Sequence, residues 1–374
     1  MSEARGALLP LTSLRFVAAL LVFSWHCVPT RRVSAVFSLG YIGVAFFFLL
    51  SGFILTHRYH ESFREGLRLD AVRAFYVARL ARVYPLHLAM IPIVVGVLVY
   101  LGTDRLWSGV DPETRLRAIA AQVLLVQSWI ASVPIVFGVN GPAWSISVEA
   151  FFYALFPFAA FGLLRAFRDA PPHAVLAAAA VLWLAQSLLL WPQHAAVDDW
   201  RWYVFPPSRL VDFVIGMLLG IAFLRSSGAQ RWPLRATSVE LLTLAGVCLA
   251  VTVSPLVPLS MRFALWVMPA WCAVIFVFAG RRGAISRFLS HPVFVRLGEV
   301  SFAFYLCHLA VVKLVDQRLG WEHPFSMAIA FVGTLALSFA LYHGVEQPMR
   351  TRVRALLGAR APRALVTPAG AGAR

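Results

Sequence analysis

The stretch LLPLTSLRFVAALLVFSWHCV, from Leu8 to Val28, is long and apolar enough to cross a membrane as a helix, yet it contains an arginine and a histidine. Arg15 and His26 are eleven residues apart. In a helix both side chains then share one face, roughly 16 Å apart along the axis. Ionisable groups inside a membrane are costly and usually functional. The pair therefore predicts a polar track into the membrane; a snorkelling arginine and a hydrogen-bonded histidine are the structural alternative, and it suits Arg15 better than His26.

The composition of the whole chain is that of a polytopic membrane protein. Of its 374 residues, 60% are hydrophobic and 13% are charged, whereas soluble domains have about 45–50% apolar and about 25% charged residues. The longest polar stretch, 57–82, is too short to form a soluble domain. The net charge of +16 comes from arginines clustered in a few loops, and no basic–aromatic motif indicates nucleic acid. The expected fold class is an all-α, polytopic transmembrane helix bundle.

Segments of about 20 mainly apolar residues predict ten membrane spans. They lie at 10–28, 38–57, 83–102, 144–164, 174–192, 206–224, 237–257, 262–280, 299–318 and 324–343. A further apolar segment, 118–136, either crosses fully or is re-entrant. If it is re-entrant, the arginine-rich loops and both termini all lie on the cytoplasmic side, as the positive-inside rule requires. We favour this arrangement of about ten spans with one re-entrant segment.

The two ends of the chain are assigned from their composition. Arg15 interrupts the apolar run that a cleavable signal peptide needs, so we expect the N-terminal segment to be the first membrane span. Residues 1–350 are expected to form one transmembrane domain. Residues 351–374 are basic and become rich in alanine, glycine and proline, which predicts a disordered cytoplasmic tail.

The segment FYVARLARVYP, 75–85, places Arg79 and Arg82 on one helix face where the chain re-enters the membrane. Guanidinium groups match the geometry of phosphate oxygens, which suits a ligand such as coenzyme A. We assign Arg73, in the basic stretch 57–82, to this group. Anchoring to the headgroups of membrane lipids is the alternative, and these residues taken alone favour it.

The segment GPAWSISVEAFFYALFP, 141–157, carries polar residues on an otherwise apolar span. They are Trp144, Ser145, Ser147, Glu149 and Tyr153. Three of them recur every four residues and so form one polar stripe. Glu149 could orient His26, as acidic residues orient catalytic histidines. The tryptophan and the serines could contact a sugar or a developing oxyanion, although a purely structural hydrogen-bonding stripe is an equally good interpretation.

The segment GEVSFAFYLCH, 298–308, carries a second polar stripe. Ser301, Tyr305 and His308 follow an i, i+4, i+7 pattern and share one helix face. Two stripes in separate spans indicate an enclosed polar cavity inside the bundle. Two further pairs are spaced for ion pairs along one helix: Arg209 with Asp212, and Glu346 with Arg350.

In this order, the motifs resemble the membrane acyltransferase 3 family, bacterial integral-membrane O-acyltransferases that modify surface glycans, antibiotics and related molecules. The resemblance covers residue 11 to about 350 and rests on Arg15-x10-His26, GYIGVAFFFLLSGF at 40–53, Arg79-x-x-Arg82 with Tyr84-Pro85, WSISVE at 144–149, Ser301-x3-Tyr305-x2-His308 and Glu346-x-Pro348. Each motif alone is weak evidence, and the ordered set is specific.

The resemblance implies ten spans in the bacterial plasma (inner) membrane, with both termini cytoplasmic. It implies an acyl-CoA donor, most often acetyl-CoA, and a hydroxyl-bearing glycan or small-molecule acceptor. Carried over onto this sequence, His26 is the catalytic residue, Arg15 supports it, and Arg79 and Arg82 face the CoA. No metal is expected. Some members carry an extracytoplasmic esterase-like domain, which we do not expect here.

Two mechanisms are open for His26. A neutral imidazole can take the proton of the acceptor hydroxyl as it attacks the thioester, or it can carry the acyl group itself. We hypothesise general-base transfer, with Glu149 or Ser145 fixing the geometry. The alternative function is a proton-coupled exporter of a glycan or small molecule, because transporters also bury ionisable groups. The lack of two related halves and the Arg79–Arg82 pair favour the acyltransferase.

Overall fold

Helices form nearly all of the chain that the structure describes. The computed structural model describes residues 8–27, 40–102, 109–190, 200–226, 236–262 and 265–358. Its α-helices are α1 (Leu9–Cys27), α2 (Gly40–Phe63), α3 (Leu69–Leu101), α4 (Pro112–Val123), α5 (Val133–Phe137), α6 (Trp144–Ala166), α7 (Pro172–Leu190), α8 (Trp200–Tyr203), α9 (Pro206–Ser226), α10 (Ala236–Val253), α11 (Leu259–Arg262), α12 (Met268–Ala279), α13 (Ala284–Leu289), α14 (Pro292–Leu319), α15 (Ser326–Leu341) and α16 (Gln347–Leu356). Short 3-10 helices at Gln127–Trp129, Gly141–Ala143 and Ser254–Leu256 and a π-helical turn at Tyr342–Glu346 complete the regular structure in these ranges.

Nine helices within the described ranges are long and apolar enough to cross a membrane. This confirms the predicted all-α polytopic bundle. The span predicted at 262–280 is shorter than expected, because α12 has 12 residues. Pro269 restricts its first turn, and the chain leaves the helix at Gly280.

Helix α12 nevertheless runs along most of α10. At about 18 Å it is shorter than a membrane core of about 30 Å. Just before α12, the indole of Trp266 donates to the carbonyl of Ala250 (2.8 Å). Just after it, the amide of Gly283 donates to Glu240 (3.0 Å). Ala250 and Glu240 lie near opposite ends of α10, so α12 is antiparallel to α10. Helix α12 is therefore the element that corresponds to the tenth predicted span.

The arginine-rich connections converge at one end of the bundle, which we call the arginine-rich end. Nη2 of Arg168 lies 3.5 Å from Oε2 of Glu65, so the α6–α7 connection meets the α2–α3 connection. Arg225, at the end of α9, donates to the carbonyl of Arg168 (2.5 Å). Arg73 donates to the carbonyl of Leu357 (3.1 Å), which fixes the end of α16 at this same place.

The segment predicted at 118–136 does not form one continuous helix. It consists of the end of α4, a 3-10 turn and the start of α5, which agrees with a re-entrant segment. Side chains of neighbouring helices donate to its carbonyl groups: His87 to Gln122 (2.7 Å), Tyr84 to Val123 (2.9 Å) and Ser147 to Leu125 (2.7 Å). Non-helical backbone is tolerated at membrane depth when protein satisfies it in this way.

The two predicted intrahelical ion pairs have different outcomes. Nη2 of Arg209 lies 2.6 Å from Oδ2 of Asp212, and both side chains are fully buried, as predicted. The prediction that Glu346 pairs with Arg350 is wrong. Glu346 instead forms an ion pair with Arg82 of α3.

The physical reason lies in the π-helical turn that precedes α16. Pro348 has no amide hydrogen and would clash with the carbonyl of Gly344 in a regular helix, so the chain widens over Tyr342–Glu346. Arg350 remains a charged neighbour of Glu346, but the direct contact of this carboxylate is with Arg82. Helix α16 continues to Leu356, so the first part of the predicted tail is helical, and residues 359–374 lie outside the described residues.

Helices α2 and α9 pack with their backbones in direct contact. A Cβ atom on Gly216 would overlap the carbonyl oxygen of Leu49, and a Cβ atom on Gly52 would overlap that of Phe213. Small residues permit such close approach between membrane helices. This contact holds α2 in place, and α2 forms one wall of the site described below.

We expect Gly216→Val to separate α2 from α9 and to destabilise the protein by about 1–3 kcal/mol or more, because the added carbons have no space. The matched control is Gly246→Val on α10, where a Cβ atom meets nothing within 4 Å. Thermal unfolding of the purified variants in detergent measures the difference. Equal transition temperatures for the two variants would contradict the packing.

Candidate active site

A polar cavity of about 140 Å³ lies among α1, α2, α3, α6 and α14. Phe47, Phe48 and Phe302 contribute apolar wall. The polar residues that line the cavity are Arg15, Ser51, Arg79, Arg82, Ser145, Glu149, Tyr153, Ser301 and Tyr305. Apart from Ser51, the sequence patterns predicted all of these as site residues. The two polar stripes and the arginine pair therefore meet in one place.

Arg79 lies in this wall against aromatic rings. Its guanidinium carbon is 5.8 Å from the ring centre of Tyr59, 6.0 Å from that of Phe75 and 5.9 Å from that of Tyr153. Nη2 of Arg79 also donates to the hydroxyl of Tyr59 (3.4 Å). Ring faces attract cations, so these contacts hold the charge of Arg79 at the cavity without neutralising it.

Arg82 lies beside Arg79 and is paired. Its partner Glu346 has a side chain only 1% exposed, so the ion pair is shielded from solvent. Arg73, which we predicted to act with them, is exposed and does not line the cavity. It precedes Arg79 by six residues, which places it about 120° away around the helix.

Glu149 faces the three arginines of the cavity. The hydroxyl of Tyr153 donates to Oε2 of Glu149 (2.8 Å), and the guanidinium groups of Arg15, Arg79 and Arg82 are its charged neighbours. The prediction that Glu149 orients the histidine of α1 is wrong. That histidine lies farther along α1 and has other partners.

His26 is held by a second histidine. Nε2 of His308 lies 3.2 Å from Nδ1 of His26, and the two ring centres are 4.9 Å apart. Nδ1 of His26 is also 2.8 Å from the carbonyl oxygen of Val22, and Nδ1 of His308 is 2.6 Å from that of Tyr305. His308 is fully buried, whereas His26 is half-buried.

These contacts assign the protons of both rings. A carbonyl oxygen only accepts hydrogen bonds, so Nδ1 of each histidine must carry the hydrogen. In the neutral rings, Nε2 of His308 is then an acceptor facing His26, and Nε2 of His26 is unprotonated. Within the described residues Nε2 of His26 has no hydrogen-bond partner. His26 therefore presents a free basic nitrogen, and His308 keeps it in that form.

Tyr305 connects the histidine pair to the cavity. Its side chain lines the cavity, and its hydroxyl lies 2.9 Å from Oγ of Ser145 and 3.0 Å from the carbonyl oxygen of Pro142. Its own carbonyl holds His308. His26 does not line the cavity, and Tyr305 is the lining residue that connects to it, through His308.

Three other predicted residues have structural contacts. Trp144 is buried, with its ring against those of Phe48 and Tyr203, and it does not line the cavity. Ser147 also lies outside the cavity, because its hydroxyl donates to the re-entrant segment. Ser301 lines the cavity while donating to the carbonyl of Gly298 (2.7 Å). The positions of Trp144 and Ser147 therefore do not support their predicted contact with a substrate.

A comparison with known protein families identifies the family to which the chain belongs. The family profile described as "Acyltransferase domain" (Acyl_transf_3) matches residues 11–343, which is most of the chain. The chain belongs to the acyltransferase 3 family. This membrane acyltransferase therefore has its polar cavity and its histidine pair within the part of the chain that defines the family.

Among curated relatives, the chain is similar to Acyltransferase MdmB of Streptomyces mycarofaciens, with 31% identity over 88% of this chain and 85% of that protein. It is 24% identical to YrhL of Bacillus subtilis (strain 168), which is named as a proposed peptidoglycan O-acetyltransferase, and 21% identical to O-acetyltransferase OatA of Staphylococcus aureus. The matches to YrhL and OatA each cover 84% of this chain, but they cover 51% of YrhL and 53% of OatA. No solved structure matches the acyltransferase.

We expect Glu346→Leu to destabilise the acyltransferase by about 3–5 kcal/mol, because it leaves Arg82 largely buried without its partner. The double variant Arg82→Leu/Glu346→Leu should recover much of this loss, since it removes both charges. Unfolding by denaturing detergent, followed by circular dichroism, measures each variant. A double variant no more stable than Glu346→Leu alone would contradict the pairing.

Proposed function

We propose that this membrane acyltransferase transfers an acyl group, most simply acetyl, from acyl-CoA to a hydroxyl group of a sugar-containing acceptor, with His26 as the general base. One observation carries the proposal: Nε2 of His26 is unprotonated and unpaired within the described residues, and Tyr305, whose carbonyl holds its partner His308, lines the cavity that contains the arginines. Family membership favours this reaction over the transporter that the sequence left open.

The arrangement fits the shape of an acyl-CoA. Its phosphates and its thioester are at opposite ends of a long pantetheine arm. Arg79 and Arg82 would hold the phosphates near the arginine-rich end, because guanidinium groups bind phosphate in a fork geometry. Arg15 and His26 are roughly 16 Å apart along α1. A donor that binds the arginines through its phosphates must therefore extend over a distance of this order to bring its thioester to His26.

His26 would act through its unprotonated Nε2. The acceptor hydroxyl gives its proton to this nitrogen while its oxygen forms a bond to the thioester carbon, and the C–S bond then breaks to release the CoA thiolate, which takes up the proton. During the step, Nδ1 of His26 stays bonded to Val22 and His308. An acyl-histidine intermediate uses the same nitrogen as nucleophile and remains the alternative path.

The proposed acceptor is a hydroxyl-bearing glycan. The support comes from relatives named O-acetyltransferase, one of them with peptidoglycan in its name. The same relatives are bacterial, and the arginine-rich end suits the inner side of a membrane. We therefore propose a bacterial plasma membrane location, with the arginine-rich end and both termini cytoplasmic.

Release of free thiol from acetyl-CoA tests the proposal directly. We expect His26→Ala to lower this release by about 10²–10⁴-fold, the usual contribution of a general base, without changing the affinity for CoA. The matched control is His173→Ala, an exposed histidine at the start of α7, which should behave as wild type. Unchanged release in His26→Ala would remove His26 from the mechanism. A wild-type protein that neither binds CoA nor releases thiol would favour the transporter.

We expect His308→Phe to lower kcat by up to about 10²-fold at unchanged KM for the donor, because His26 loses its oriented partner. His308→Gln keeps an acceptor near His26 and should retain more activity than His308→Phe. Initial rates at saturating acetyl-CoA measure both. Equal losses in the two variants would contradict an orienting role for His308.

A further inference from the structure

Two arginines of the last helix lie close to the arginines that line the cavity. Arg350 and Arg354 are four residues apart and share one face of α16. The charged neighbours of Arg354 include Arg58, Arg79 and Arg82. Those of Arg350 are Arg79, Arg82, Arg354 and the carboxylate of Glu346. We call Arg79, Arg82, Arg350 and Arg354 the basic entrance.

The basic entrance has too few carboxylates for its charge. Glu346 forms an ion pair with Arg82 through Oε1, while its Oε2 is buried and lacks a hydrogen-bond partner. Among the described residues, neither Arg350 nor Arg354 forms an ion pair. Nε and Nη2 of Arg354 and Nε of Arg79 are buried and lack a hydrogen-bond partner. Neighbouring positive charges repel one another, and a buried donor left unpaired costs about 1–3 kcal/mol. An anion with several acceptor oxygens would remove both penalties.

Helix α16 is fixed in this position. Arg73 of α3 donates to the carbonyl of Leu357 at its end, and Pro348 restricts its first turn. Arg350 and Arg354 are half-buried toward the cavity, whereas Arg352 between them is exposed. Arg350 and Arg354 therefore lie on the half-buried face of α16, and Arg352 lies on its exposed face and serves as a control.

We propose that Arg350 and Arg354, together with Arg79, bind phosphate groups of the acyl-CoA donor. This assignment rests on the proposed function and adds residues of the last helix, which the sequence patterns did not connect to the donor. Phosphate oxygens accept the forked N–H groups of several arginines at once. The unpaired N–H groups of Arg354 and Arg79 are the donors that such a phosphate satisfies. The phosphates bind at the entrance, and the thioester lies farther inside.

The test compares ligands with and without phosphate. CoA carries a pyrophosphate and a ribose phosphate, and pantetheine carries neither. We expect Arg354→Gln and Arg350→Gln to weaken CoA binding by about tenfold or more each, since each removes charged hydrogen bonds. Pantetheine binding should not change. Arg352→Gln is the matched control on the same helix and should bind CoA as wild type. Isothermal titration of the full-length protein in detergent measures each Kd and needs no acceptor.

The outcomes separate this inference from the proposed function. Tight CoA binding that Arg354→Gln and Arg350→Gln leave unchanged would overturn the inference and leave the proposed function standing. A wild-type protein that does not bind CoA would overturn both. Equal losses for CoA and pantetheine would show a general structural effect and would also overturn the inference.

The phosphate could instead come from a lipid headgroup, and a second arm distinguishes this source. We expect wild type to bind CoA equally well in vesicles of neutral phosphatidylcholine and in vesicles containing anionic phosphatidylglycerol. Any general repulsion of CoA by the anionic vesicle should change the affinity of Arg352→Gln by the same factor. Strong competition by the anionic lipid that Arg354→Gln abolishes would assign the entrance to lipid and overturn the inference.

Discussion

The structure depends on the cost of leaving polar groups unpaired in an apolar surrounding. Most of the polar side chains described in the interior satisfy a backbone group or face another polar side chain, and the hydroxyls of Thr56 and Thr334 are exceptions. Tyr84, His87 and Ser147 satisfy the carbonyls of the re-entrant segment, so that an irregular chain can lie between helices. The same cost joins Arg82 to Glu346 and brings the last helix against α3. The basic groups at or near the cavity that lack such a partner are the positions where we propose that a ligand binds.

Two such positions define the site. Nε2 of His26 is free because Nδ1 is held by a carbonyl and by His308. The guanidinium groups of Arg79 and Arg354 retain buried donors without a partner, and the nearby Glu346 forms its ion pair with Arg82. Helix α1 supports both ends, since Arg15 lines the cavity and His26 lies almost three turns farther on. A rigid helix thus sets the distance over which a donor must extend.

The sequence located most of the cavity because polar residues in apolar spans are conspicuous. Arg15, Arg79, Arg82 and Glu149 stand out in this way, and all four line the cavity. Spacing along a helix gives the face on which a residue lies and not the neighbour that it meets. For this reason the spacing predicts contacts of Glu149 with His26 and of Glu346 with Arg350, which the structure does not contain. The same limit hid the pairing of His26 with His308, which are 282 positions apart in the chain.

The sequence by itself determined that this chain is an all-α membrane bundle of the acyltransferase 3 family, because apolar length, arginine placement and motif order are local properties. It also determined the inventory of polar residues that such a bundle must accommodate. Only the tertiary structure decided which polar groups satisfy one another, since those contacts join helices far apart in the chain. In the structure α12 is shorter than the predicted span, and the turn before Pro348 is π-helical. Three predicted site residues, Arg73, Trp144 and Ser147, do not line the cavity. Pairing is a property of distances in space, which a pattern along one helix does not contain.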